Sequence, residues 1–557
     1  MSHRARVFAG LGLVLLLASV WAIRKTELPS EDFTIHAGGC RVPATVVQPA
    51  EGETRDRTRL TAIVLHGLAA NRRVMRLLGE SLAADDDLRV YLLDLPGHGD
   101  NTEPFSFAGA EACAAAAIEK LIRDRTISPK RTAIIGHSMG GAIAIRLADR
   151  VPVAATVALS PAPMILPRRM PANLIVFSPQ YDLPPLRGQA ETLLKAAGGD
   201  RDTADDFVQL RAFHLQYVAR ANHHSVLDDP VVAAQAATWV TASLDPEALR
   251  AAGLGTWTAQ VPWQSAGVVD ADRPKRSYRV ALIAAMAPVV GAIGIILLFP
   301  LAIQLAVGTI NPVPTREGYE DSLHASRHTV GDEQTAKAQG FQSPHAHTGL
   351  LLAEGAVFAL GDVLFLRAVV PLRFVRMYSG DYLASLLLIF GALLIVFNLC
   401  AAGEVWSSKP RALVAGAILG FGVMLAMGAW LNWRLVDLRL NEPRWWRFAA
   451  LVPFCFVLSF AEEVILGPVR SRRRRAWRLA VFLVLRFELW LAAVFAFYAL
   501  ASGQAVIGLL APALAGFSIL QRLGTDQIRA STGSALAAAV FGAILAAWFI
   551  AAVFPLT

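Results

Sequence analysis

The residues Gly136-His137-Ser138-Met139-Gly140-Gly141 could carry nucleophilic chemistry. They follow the apolar run Ala133-Ile134-Ile135 and lead into a small-residue segment, Gly140 to Leu147, that reads as a helix. A serine between a strand and a helix stands on a sharp turn, a nucleophile elbow. Its neighbours two before and two after must lack bulk, which is the reading given to Gly136 and Gly140. A helix beginning just after the serine points free backbone N–H groups toward its oxygen. The hydroxyl of Ser138 is a poor nucleophile unaided; it needs an adjacent base, and that base needs a group to orient it. Histidines and carboxylates follow downstream in a workable order, so the chemistry implied is acyl transfer through serine.

The elements that must position these residues alternate between short apolar strands and helical stretches over residues 31–245, the pattern of a mostly parallel sheet covered by helices. The expected strands are 33–36, 41–47, 60–65, 90–93, 132–135, 155–159, 174–177 and 214–218. Ahead of them, residues 1–30 hold an apolar run between Arg4, Arg6 and Arg24-Lys25. This reads as an uncleaved signal anchor, with a signal peptide ending near Val20-Trp21-Ala22 as the alternative. Residues 246–278 form a linker rich in Ala, Gly and Pro. Residues 279–557 carry about eight apolar runs long enough to cross a bilayer: 281–308, 349–370, 382–401, 411–433, 446–468, 476–500, 503–520 and 535–555.

The composition agrees. Of 557 residues, 55% are hydrophobic and 17% charged, too apolar for a purely water-soluble chain. The net charge of +8 does not indicate nucleic acid, because its densest block, Arg470 to Arg478, lies between two apolar runs and reads as a cytoplasmic retention signal. The four cysteines, Cys40, Cys113, Cys400 and Cys455, are too few and scattered for a disulfide framework and leave the redox compartment open.

His66-Gly67 after a strand, Asp94-Leu95-Pro96-Gly97-His98-Gly99, the elbow around Ser138, and then Asp182 and His223 in chain order together carry a resemblance. Residues 31–245 resemble the α/β-hydrolase family, especially its lipase, esterase and serine-aminopeptidase branch; the membrane part has no such resemblance. The resemblance implies a catalytic set of Ser138, Asp182 and His223, with no cofactor and no metal. His224 is the rival base; the spacing to Ser225 and the apolar Val226-Leu227 favours His223. The family usually has a glycine three residues before the acid, where this chain has Pro179. Asp205, Asp206, Asp228 and Asp229 read as solvated residues. The resemblance also places the oxyanion donors at the backbone N–H groups of Leu68 and Met139, each worth about 3 kcal/mol in such sites. His66 and His98 read as packing residues, and His137 as packing or pocket-lining. Only residues 161–172 separate two strands where many relatives insert a helical lid, so the site reads as lidless, with Met164, Ile165 and Leu166 as an apolar wall or as core.

Ionisable residues within spans are costly and are functional candidates by default. Glu354 and Asp362 share one expected helix, Glu462-Glu463 another, and Arg486 with Glu488 a third. The pair Glu462-Glu463 resembles the start of the glutamate motif of membrane-embedded CAAX-type proteases. That family needs later histidines, and none follows His347, so the reading is rejected. Arg486 is expected to pair with Glu462 or Glu463 across helices. His324, His328, His345 and His347 lie in a polar loop; a helical i, i+4 spacing joins the first two, but such histidines are ordinarily solvated.

The function expected is a membrane-anchored serine hydrolase cleaving a carboxylic ester, small or lipid-derived. The alternatives are a peptidase or amidase like those of the S33 group, and a transporter or channel with a hydrolase-like regulatory domain. An inside N-terminus would put residues 31–245 outside a bacterial cytoplasmic membrane and the Arg470–Arg478 block inside. Arg434 to Arg447, with four arginines, then falls outside, against the positive-inside bias.

Overall fold

The computed structural model describes residues 3–48, 60–85, 88–244, 273–310, 344–369, 373–398, 410–469, 472–500 and 505–557. Eight strands form one sheet: β1 (Ser30–Ala37), β2 (Cys40–Val47), β3 (Thr61–Leu65), β4 (Arg89–Leu93), β5 (Thr132–His137), β6 (Ala155–Leu159), β7 (Leu174–Pro179) and β8 (Phe213–Val218), in the order β1-β2-β4-β3-β5-β6-β7-β8. Strands β1, β2 and β4 pair antiparallel, and the remainder pair parallel. Gly38 and Gly39, at φ +58° and +80°, turn the hairpin from β1 to β2 in two residues, as right-handed strand twist favours. Strands β3, β5, β6 and β7 are buried along their whole length, because helices cover both faces.

Helices α2 (Arg76–Asp85) and α7 (Pro230–Leu244) pack one face around Val64, Ile135, Val157, Phe177 and the fully buried Trp239. Helices α3 (Phe107–Arg123) and α4 (Met139–Arg146) pack the other around Ile63, Leu65, Leu93 and Ile134. Helix α5 (Pro184–Ala197) covers β7 and β8, and the short α6 (Ala204–Val208) precedes β8. A disulfide joins Cys40 at the start of β2 to Cys113 in α3. The cysteine count had pointed to no such bridge; the pair is 73 residues apart, and only the docking of α3 on the hairpin brings it together.

The remaining helices are α1 (His3–Thr26), α8 (Arg273–Ile310), α9 (Pro344–Ala368), α10 (Gly380–Asn398), α11 (Pro410–Arg434), α12 (Glu442–Leu466), α13 (Arg472–Leu500), α14 (Ala505–Thr532) and α15 (Ala535–Val553). Among the described residues, eight of these are long and apolar enough to cross a membrane; α14, read from sequence as a span over 503–520, is not one of them. Helix α8 begins at Arg273, inside the stretch read as linker. Helices α1 and α8 approach closely where Gly12 faces Gly294: a Cβ on either would stand 2.7 Å from the other's carbonyl oxygen.

Most buried charges of the helical part are paired; Asp362 of α9 is buried with no ion-pair partner among the described residues. Arg486 meets Glu462 at 2.7 Å, while Glu463 takes Arg478 and Arg522, which share Asp526. Breaking one such buried pair costs about 3–5 kcal/mol because it strands a charge. This cluster lies at the end of α12 remote from the sheet domain. At the other end, Arg434 pairs with Glu80 of α2, Arg76 donates to the Trp433 carbonyl at 3.2 Å, and Arg444 donates to the carbonyls of Gly97, Ala551 and Phe554. The histidine-bearing stretch 311–343, with His324 and His328, lies outside the described residues.

Candidate active site

Strand β5 runs into α4 with Ser138 at φ +52°, ψ −116°. A non-glycine residue held at positive φ is strained and persists only where its surroundings impose it. Here the constraint is steric and mutual. A Cβ at Gly136 would stand 2.0 Å from the Gly140 carbonyl oxygen, and one at Gly140 would stand 2.3 Å from the Leu65 carbonyl oxygen. The backbone of Ser138 is tied on three sides: its N–H donates to Leu159, and its carbonyl accepts from Ala142 and Ala162. Met139 is the first residue of α4, so its N–H has no acceptor within the helix.

Beyond β7 a turn carries Asp182, whose N–H donates to the Pro179 carbonyl at 3.2 Å. The turn therefore forms with proline where relatives usually have glycine. Beyond β8 the chain carries His223, 6% exposed, whereas its neighbour His224 faces outward. Nδ1 of His223 lies 3.1 Å from Asp182 Oδ1 and 2.8 Å from the hydroxyl of Ser160, which in turn donates to Asp182 Oδ2. With a proton on Nδ1 shared between the carboxylate and the Ser160 oxygen, Nε2 is left as the basic nitrogen. Ser160 was not among the residues singled out in the sequence. It sits directly after β6 at φ +47°, next to Pro161, and its role depends on a contact 22 residues away that no local pattern encodes.

His137 secures the base loop. Its Nε2 donates to the His223 carbonyl at 2.8 Å, and the two rings lie 4.7 Å apart. Burial, followed by the nearby His223, holds the His137 pKa well below 6.5. His66 and His98 likewise serve as neutral props. His66 Nε2 accepts from the Leu95 N–H, its Nδ1 faces the Gly67 carbonyl, and burial lowers its pKa. His98 Nε2 accepts from the Ala69 N–H, and burial pushes its pKa well below 6.5. Asp94 organises the turn after β4 by accepting from the N–H groups of Arg72 and Asp100 and by pairing with the Arg72 guanidinium.

Gly67 brings the loop after β3 against the elbow: a Cβ there would lie 3.1 Å from the Ser138 Cβ. Leu68 follows at once. Residues 161–172 form no helix; Met164 and Leu166 pack on the core under α5, and Ile165 is exposed. An open groove of about 590 Å³ lies beside the acid loop, lined by Gln180, Pro184, Arg187 and Tyr217, and neither Ser138 nor His223 lines it.

Residues 62–291 match the family model described as the alpha/beta hydrolase family. The match omits β1 and β2 and runs on into α8. An uncharacterized protein of Mycobacterium tuberculosis is 33% identical over 126 residues, 23% of this chain and 38% of that protein. The magnesium-chelatase 30 kDa subunit of Rhodobacter capsulatus is 36% identical over 100 residues, 18% of this chain and 34% of that protein. The chain thus spans under two fifths of the length of these curated relatives. Among solved structures, a hyperthermophilic esterase from Pyrobaculum calidifontis aligns over 42% of this chain and 90% of its own, with a TM-score of 0.31 and 20% identity. A bacterial heroin esterase aligns over 43% and 92%, with a TM-score of 0.30 and 14% identity.

Proposed function

We propose that this chain, which carries an α/β-hydrolase domain beside a set of long apolar helices, is a membrane-anchored serine hydrolase cleaving a carboxylic ester. The observation that carries the reading is Ser138, held at positive φ between β5 and α4. Asp182 and Ser160 orient His223 through Nδ1, and its carbonyl and ring lie against His137, the residue before Ser138. In this reading Ser138 Oγ attacks the ester carbonyl while His223 Nε2 takes its proton. The tetrahedral oxyanion is met by the N–H groups of Met139 and Leu68. The C–O bond to the alcohol then breaks, and His223 returns the proton to the departing alkoxide. Water, deprotonated by the same imidazole, attacks the acyl-Ser138 ester and regenerates the hydroxyl while releasing the acid. Asp182 keeps Nδ1 protonated and stabilises the imidazolium.

A lipid-derived ester suits the surroundings, because Leu68 and Ala69, beside the nucleophile, pack against the apolar core of the helical part. We also place the domain on the outer face of a cytoplasmic membrane. A disulfide favours an oxidising compartment, and Arg474 and Arg478 lie at the helix ends remote from the domain. The test is turnover of a panel of p-nitrophenyl esters and peptide amides by the purified full chain. Ser138→Ala should abolish ester turnover while leaving the protein folded. Near-normal turnover by Ser138→Ala would overturn the mechanism, cleavage of amides alone would make the protein a peptidase or amidase, and no turnover by the wild type would favour a regulatory domain.

A further inference from the structure

The loop that follows β3 makes contacts on two sides. Toward the elbow, Gly67 lies against Ser138. Away from it, the same loop is fastened to the helical part of the chain. Asn71, 5% exposed, donates from Nδ2 to the Asp437 carbonyl at 3.3 Å and accepts at Oδ1 from the Asp437 N–H at 3.2 Å. This reciprocal pair joins residues 366 apart in the chain. Asp437, itself buried, is locked by three contacts with Arg439, whose guanidinium reaches on to Asp100.

A second fastening runs through the turn after β4. The Ala69 N–H is held by His98 Nε2 at 3.1 Å, with Ala69 at φ +59°. The carbonyl of Gly97, next to His98, accepts from Arg444 Nη2 at 2.9 Å and from the Leu556 N–H at 3.1 Å. The Asn441 side chain holds the Gly99 carbonyl at 3.1 Å. Between the two fastenings, Leu68 and Ala69 lie against the apolar cluster built by the helices of the helical part. An isolated α/β domain would present this loop to water.

We infer that the segment joining α11 to α12 and the C-terminal residues after α15 are positioning parts of the catalytic site: through Asn71 and the Gly97–Gly99 turn they hold the Leu68 N–H where it meets the oxyanion. The inference rests on the reading of Leu68 as an oxyanion donor. It gives the helical part a task beyond anchoring, because a shift of the α11 and α12 ends would move a catalytic donor. It also accounts for Arg434, Arg439 and Arg444, which are taken up by this docking surface. A donor misplaced by about 1 Å costs rate with little change in ground-state binding.

Asn71 positions and does not touch substrate, so the test needs readouts that general destabilisation would not move. In the full chain in detergent or nanodiscs, Asn71→Ala should lower kcat about 10- to 100-fold with KM within about threefold. It should weaken inhibition by an alkyl boronic acid, whose tetrahedral adduct with Ser138 fills the oxyanion site, by a similar factor. Asn71→Asp, which keeps the acceptor for the Asp437 N–H, should recover part of the loss. Asn441→Ala, at a partly buried position, should lower kcat about two- to tenfold and guards against a failure of Asn71→Ala to fold. If both alanine variants melt like wild type and keep kcat and boronate affinity within twofold, while Ser138→Ala is inactive, the positioning role is wrong and the serine mechanism stands. A raised KM with kcat unchanged would also overturn it. Activity surviving in Ser138→Ala would instead overturn the underlying mechanism.

Discussion

The two adjacent histidines, His223 and His224, differ chiefly in what their rings meet. His223 is buried against Asp182, Ser160 and His137, whereas His224 faces outward. His223→Ala should therefore reduce kcat by about four to six orders of magnitude, as removal of a triad member does. His224→Ala should keep activity within about threefold, measured on the same ester. The buried, neutral histidines also make the domain acid-sensitive. His66, His98 and His137 have folded pKa values below their usual 6.5 because burial penalises the charged ring. The unfolded chain takes up protons near pH 6.5 that the folded chain refuses, so stability is full above that pH and falls as pH drops below it. The melting temperature should be level from about pH 7 upward and decline steadily toward pH 5; a flat profile across that range would contradict the assignment of neutral props. The positions of Ser138, Asp182 and His223 beyond strand ends were legible in sequence, while the roles proposed for them come from the resemblance. Ser160 was not, since a lone serine before Pro161 carries no local signature.

At the scale of elements, all eight strands were legible, because apolar runs of four to eight residues bounded by turn residues read as buried strands. The sharpness of the elbow depends on three backbones meeting where Gly136 and Gly140 have no side chain. Gly140→Ala would press a methyl group onto the Leu65 carbonyl and, through it, onto the loop bearing Leu68. Overpacking of this kind costs about 1–3 kcal/mol. We expect Gly140→Ala to lower the melting temperature by several degrees and ester turnover by about 100-fold. Wild-type kinetics in this variant would mean that the turn has more room than its backbone contacts indicate. The disulfide and the docking segment were not legible, because Cys40–Cys113 and Asn71–Asp437 are long-range pairs created by packing. The four arginines of Arg434 to Arg447 were read as an exception to the positive-inside bias. They are explained by their partners Glu80, Asp437, Asp100 and the carbonyls of Gly97 and Val375.

For the whole molecule, five helices among the described residues, α8 to α12, separate the hydrolase domain from the arginine block that follows α12. If each crosses the membrane, the odd number puts the two on opposite faces, and the orientation proposed above has the block inside. A cysteine introduced in the 246–272 segment should react with a membrane-impermeant thiol reagent in intact cells, and one beside Arg474 should not. Labelling confined to the arginine side would reverse the orientation, and labelling at both would mean a different number of crossings. Once formed, the Cys40–Cys113 bridge contributes about 4 kcal/mol by the chain-entropy relation for its 73-residue separation. Cys113→Ala should therefore lower stability by about 2–4 kcal/mol without abolishing turnover of the folded fraction.

The central claim is that Ser138 is a nucleophile activated by His223. It is tested most directly by treating the full chain, helical part included, with a fluorophosphonate probe and locating the adduct by peptide mass spectrometry. Stoichiometric modification of Ser138 is expected, lost in Ser138→Ala and slowed at least about 1000-fold in His223→Ala. An unmodified Ser138 in protein that turns over esters, or an adduct on another serine, would contradict it.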